Sequence, residues 1–160
     1  MKKIILSVAV LAVLFTGCKK KDDDPTPTPK STSTKVSLLT AHPWAYTAAV
    51  ADKPVDVDGD GNSSTDVYSQ ESICQTDVDY TFNSNKTGTV SGDCGGTVSP
   101  GSWGFAWTFN ASETTIITTV AGDITNMTIL QLDANTLKVS YPDTDDNNLD
   151  YINTLTFTKK

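Results

Sequence analysis

The sequence predicts an all-β protein, a small eight-stranded antiparallel barrel with up-and-down connections. Three observations carry that prediction. Threonine, valine and aromatic residues recur at every second position in successive runs, the period of a strand with one buried face. Asn, Gly and Asp gather between the runs, where turns need them. After Val98 the connections are too short to cross a sheet, so neighbours in sequence should be neighbours in space. Closing eight such strands removes the edges that template aggregation, and leaves an interior that side chains fill or one small ligand occupies. A two-sheet sandwich is the rival arrangement, but it needs long crossovers.

The elements follow in order. Residues 35–40 (KVSLLT) suit one helical turn, and residues 43–51 (PWAYTAAVA) form the first strand, with Trp44, Tyr46, Ala48 and Val50 on one face. Val78, Tyr80 and Phe82 share a face of the next strand, SNKTG turns the chain, and residues 87–92 (TGTVSG) make a weaker return arm. Trp103, Phe105, Trp107 and Phe109 alternate in the most aromatic stretch of the domain. Residues 114–120, 123–132, 136–141 and 149–158 complete the set, joined by AG, DAN and PDTDDNN.

Ahead of these strands lies a different kind of sequence. Residues 1–3 are basic at Lys2 and Lys3, and residues 4–15 (IILSVAVLAVLF) form an uncharged apolar run. That run is too short to span roughly 30 Å of hydrocarbon, so residues 1–17 read as a signal peptide. Leu14, Phe15, Thr16, Gly17 and Cys18 resemble the lipobox of bacterial lipoproteins, in which the cysteine is acylated before cleavage. Each buried CH₂ of an acyl chain contributes about 0.8 kcal/mol, and two or three chains suffice for stable anchoring. The KKKDDD that follows resembles the export signal of Bacteroidota-type lipoproteins bound for the outer face of the outer membrane. Residues 25–35 (PTPTPKSTSTK) read as an extended, polyproline-like segment, which makes 18–35 an acylated tether and 36–160 the barrel.

Composition excludes several function classes. The chain has no arginine and a formal net charge of −7, so it lacks the electrostatic footprint of a nucleic-acid binder. A single histidine, His42, and two glutamates, Glu71 and Glu113, offer little for catalysis, and no HExxH, nucleophile elbow or Ser-His-Asp order is present. His42 reads as a residue leading into the first strand, and the protein as a non-enzyme without cofactor unless calcium binds. With Cys18 acylated, Cys74 and Cys94 remain as an even pair in an oxidising compartment, which predicts a disulfide whose loop closure contributes roughly 3 kcal/mol.

LLTAHPW at 38–44, CQTDVDYTFNSNKTG at 74–88, Cys94, SWGFAWTFN at 102–110 and ITNMTILQLDANTLKVSY at 124–141 together resemble the lipocalin-like domain of bacterial outer-membrane lipoproteins. The likeness runs over nearly all of residues 36–160. It implies a small barrel, and the expected function is lipid-anchored binding of a small apolar or amphiphilic ligand at the cell envelope. The alternative is a cell-surface module with a solid barrel that contacts a protein or glycan.

Two groups of residues are candidate sites. Trp44, Tyr46, Trp103, Phe105 and Trp107 either line a barrel mouth that receives an apolar or carbohydrate ligand, or fill the barrel core. The loop DVDGDGNSSTD at 56–66 matches the first half of a calcium loop, D-x-D-x-D-G. Asp56, Asp58, Asp60 and Asp66 would supply side-chain oxygens and Asn62 its main-chain carbonyl. Val67 stands where a bidentate glutamate is expected, so a noncanonical calcium loop and an unoccupied polar loop both stay open. Either way the segment follows the first strand as an external loop near the open end.

Overall fold

The computed structural model describes residues 33–92 and 102–160. The expected signal peptide, nearly all of the tether, Cys18 and Cys94 lie outside the described residues. Strand β1 (Trp44–Val55) is followed by β2 (Ser64–Asp66), β3 (Val78–Phe82), β4 (Thr87–Gly92), β5 (Ser102–Phe109), β6 (Thr115–Val120), β7 (Asp123–Leu132), β8 (Thr136–Thr144) and β9 (Asp150–Lys159). Each strand from β3 to β9 pairs antiparallel with the next, and β9 returns to β1 from Trp44↔Lys159 to Ala51↔Asn153. Eight strands therefore close into a barrel, with β2 appended to β1. Among the described residues no helix is long and apolar enough to cross a membrane.

The turns show why the meander is tight. Between β6 and β7 only Ala121 and Gly122 intervene, at φ 51° and 104°. Positive φ at both central residues is what a two-residue hairpin needs to match strand twist. Between β8 and β9, the Asp145 carboxylate accepts from the amides of Asn147 (2.9 Å) and Leu149 (2.8 Å), so the polar connection is held by its own side chain.

One end of the barrel is plugged. Helix α1 (Thr34–Leu39) starts where the Ser33 hydroxyl accepts from Val36 N–H at 3.1 Å, and it ends with Leu39 fully buried. The domain thus begins slightly earlier than Val36, inside the predicted tether, because Ser33 caps a helix whose apolar side packs on the barrel. The Trp44 indole donates to the Leu39 carbonyl at 2.9 Å. The Trp107 indole donates to the carbonyls of Asn83 (3.1 Å) and Thr87 (3.0 Å), and Lys86 Nζ sits 4.0 Å over its ring.

At the opposite end the chain between β1 and β3 departs from a simple loop. β1 runs on to Val55, four residues past the predicted end. Trp44 and Ala45 pair with Tyr80 and Asp79 of β3, Val67 N–H donates to Ala49 O at 3.0 Å, and β2 pairs Val50↔Asp66 and Val55↔Ser64. The exposed edge of β1 is thereby covered at its start, around Ala49 and Val50, and at Val55. A 3₁₀ turn (Tyr68–Gln70) and the short helix α2 (Ile73–Thr76) follow, neither predicted because the segment is polar and carries no helical period. The Tyr68 ring meets that of Tyr46 edge-on at 5.1 Å, which draws this segment inward over the barrel.

Candidate functional site

The inward side chains of β8 and β9 change character along the barrel axis. Leu137 faces Phe157 and Val139 faces Leu155, two apolar rows; then Tyr141 faces Asn153 and Asp143 faces Tyr151, two polar rows. The apolar rows, with Tyr80, Phe105, Ile116 and Met127 across the interior, enclose a cavity of about 200 Å³. Trp103, 45 % exposed, and Val120 reach its rim. Phe105 lies directly opposite Gly88 in register, with its ring over the glycine. A Cβ on residue 88 would fall 2.1 Å from the ring, so only glycine leaves room for it.

The polar rows border a second cavity of about 370 Å³, lined also by Gln70, Glu71, Ser72 and Gln75. Tyr141 lines both cavities. Tyr151 Oη donates to Asp143 Oδ2 at 3.2 Å, and Asn153 Nδ2 donates to Tyr141 Oη at 3.4 Å. Among the described residues, Asn153 Oδ1, Tyr46 Oη and one Glu71 carboxylate oxygen are buried without a hydrogen-bond partner. Burial pushes the Glu71 carboxyl up, the facing Tyr46 hydroxyl works against that rise, and the Asp143 charge adds to it. Burial likewise raises Tyr141 and Tyr151, with Asp143 contributing to both.

The five aromatic residues expected at a barrel mouth divide. Phe105 and Trp103 line the apolar cavity, whereas Trp44, Tyr46 and Trp107 do not. Trp44 and Trp107 plug the closed end, and Tyr46 packs between Tyr68 and Phe157, at 5.1 and 5.5 Å. All five point inward, as alternation requires; their height along the axis, which alternation does not encode, separates lining from plug. The residues that sequence reasoning passed over are Glu71, Asp143, Tyr151 and Asn153. Tyr151 and Asn153 had one visible signal, the run DYINTLTF, whose inward positions change from Tyr and Asn to Leu and Phe; Glu71 and Asp143 had none.

In the acidic loop, carboxylate oxygens of Asp56, Asp58 and Asp60 lie within 4.8 Å of one another. Asp56 is buried, its Oδ2 accepts from Gly61 N–H at 3.0 Å, and its Oδ1 has no partner among the described residues. Asp60 accepts from the Asn62 amide N–H (2.7 Å) and side-chain NH₂ (3.0 Å), which hold its carboxyl below the usual range. Gly59 and Gly61 supply φ of 70° and 88°, the left-handed turns of the loop. Asp66 stands apart on β2, where it accepts from Ser69 N–H at 3.2 Å. Asp146 N–H donates to Asp56 O, and Asp56 N–H to Asp145 Oδ2, both at 3.3 Å, tying the loop to the β8–β9 connection.

Elsewhere, Cys74 lies exposed on α2. The His42 ring packs against Trp44 at 4.3 Å between centroids, tilted by 53°, and its nitrogens lie 2.9 and 3.1 Å from the carbonyls of Pro43 and Ala134, a packing role at the closed end.

A family model described as a lipocalin-like domain matches residues 46–139. No curated protein matches the chain. Among solved structures, bovine odorant-binding protein in complex with a selenium-containing odorant is 13 % identical, with a TM-score of 0.47 over 83 % of this chain and 77 % of that one. The same bovine protein in complex with undecanal is 11 % identical, with a TM-score of 0.46 over the same shares.

Proposed function

The chain belongs to the lipocalin-like domain family, and from that footing we propose that it is a non-enzymatic, lipid-anchored binding protein for a small apolar or amphiphilic molecule at the cell envelope. The observation that carries this reading is the apolar cavity of about 200 Å³ inside a closed barrel, with Trp103 exposed at its rim. A native core is packed to near crystal density, so an apolar cavity of that size supports a binding role. Acylation at Cys18 would hold the barrel at an outer-membrane surface, on the strength of the lipobox-like sequence. A Cys74–Cys94 disulfide would tie α2, beside the mouth, to the β4–β5 connection.

Native mass spectrometry of protein purified from its own envelope tests both parts. The expected spectrum has one small molecule bound per chain, and an amino-terminal fragment that starts at Cys18 and carries acyl mass. A ligand-free protein that also takes up no added octanol would leave the surface-module reading in its place. An unmodified amino terminus would remove the anchor.

A second reading concerns calcium, and one observation favours it. Asp56 Oδ1 is buried, without partner among the described residues, and belongs to the gathered carboxylate trio. A hard cation that prefers oxygen ligands satisfies it and relieves the repulsion among the three. Asp56, Asp58 and Asp60 would hold the ion, and Asp66 would not without movement of β2. Calorimetric titration with calcium checks this; absence of heat up to millimolar concentration dismisses it.

A further inference from the structure

We propose that the polar cavity at the barrel mouth receives the cationic head of an amphiphile, an alkylammonium group, while its chain occupies the apolar cavity below. The inference rests on the carrier reading and specifies the ligand's head. Tyr141 lines both cavities, at the point where the β8–β9 wall passes from the apolar rows to the polar ones. Such a wall fits a molecule with two unlike ends.

The lining fixes the sign of the head. Asp58, Glu71, Asp143, Asp145 and Asp146 border the polar cavity, and no lysine does. An anionic head would enter a field of like charge. Unmet hydrogen-bonding capacity points the same way. Asp145 is spent on the amides of Asn147, Leu149 and Asp56, and Asp143 on Tyr151 Oη and Thr144 N–H. Among the residues that line this cavity the atoms without a partner are two acceptors, one Glu71 oxygen, which the Tyr46 hydroxyl faces from outside the lining, and Oδ1 of Asn153, a residue only 2 % exposed. An ammonium group brings three donors and a positive charge, whereas an alcohol brings one donor and none. Tyr46, Tyr80 and Tyr151 lie closely enough to Glu71 to feel its charge. Glu71 itself is held above the usual carboxylate range by burial, a condition that a bound cation reverses.

The test uses three probes of one chain length, octylamine, octanol and octanoate, titrated into the whole protein at pH 7. Octylamine is then fully cationic, its amine resembling that of lysine. Expected is an octylamine affinity about tenfold above that of octanol, about 1.4 kcal/mol, with octanoate weakest. Glu71→Gln should bring octylamine down to the level of octanol. If octanol binds as tightly as octylamine, the headgroup inference falls and the carrier reading stands. If none of the three binds, the carrier reading falls and takes the inference with it. A preference for the amine that survives in both Glu71→Gln and Asp143→Asn would move the head out of this cavity and overturn the assignment. The unmutated protein alone decides the ranking, so the test does not depend on how the variants fold.

Discussion

Replacing Gly88 by alanine puts a methyl group where the Phe105 ring now lies. The added Cβ would stand 2.1 Å from Phe105 Cζ and 2.4 and 2.6 Å from its Cε atoms, against 3.4 Å for an ordinary contact. The ring must therefore retreat by roughly 1.3 Å. Tyr80 and Phe82 flank it, at 6.3 and 5.3 Å between centroids, so the space it takes is that of the cavity it lines. Overpacking of this kind costs about 1–3 kcal/mol. A glycine-to-alanine change in unstrained strand backbone would otherwise stabilise by about 0.4–1 kcal/mol, so a loss is diagnostic. Urea titration of Gly88→Ala should show a lower midpoint at unchanged slope. Shortening the ring with Phe105→Leu in the same chain should recover part of the loss, a positive coupling in the double-mutant cycle. An effect below about 0.5 kcal/mol with no coupling would refute the account of how glycine admits the ring.

Other outcomes follow from the mouth, the loop and the plug. The folded-state pKa of Glu71 is raised, so its contribution to stability is present at low pH and is lost as pH rises through that value; Glu71→Gln should stabilise at pH 7 and flatten this part of the urea-midpoint profile. Calcium at ten times its dissociation constant should stabilise by about 1.4 kcal/mol, read as a rise in melting temperature, and Asp56→Asn should abolish the rise. Trp44→Phe leaves the buried Leu39 carbonyl without its donor and should cost about 1–3 kcal/mol in thermal or urea unfolding.

Strand content was legible because it rests on period two and on turn residues, both local properties. Each of the eight barrel strands lies within a few residues of its expected span, and Gly122 marks the β6–β7 turn by residue type, with Ala121 held at positive φ beside it. The stretch 64–76 was not legible. Its strand β2, 3₁₀ turn and α2 exist because the exposed edge of β1 needs a partner and Tyr46 offers a ring to Tyr68, which are tertiary demands on a polar segment. The site divides in the same way. Aromatic residues on the inner face could be read from alternation, but Trp107 and Trp103 differ in role only because β5 carries one to the plug and the other to the rim. Glu71 and Asn153 meet across about eighty residues of sequence, and no local pattern announces such a pair.

The central claim is that the barrel holds a ligand in its apolar interior. Calorimetric titration of octanol into the protein and into Met127→Trp tests it most directly, since Met127 lines the cavity and an indole would occupy it. The account predicts saturable binding at one site per chain, a negative heat-capacity change from burial of apolar surface, and loss of that binding in Met127→Trp. Absence of saturable heat in the unmutated protein, or binding unchanged by the tryptophan, would contradict it.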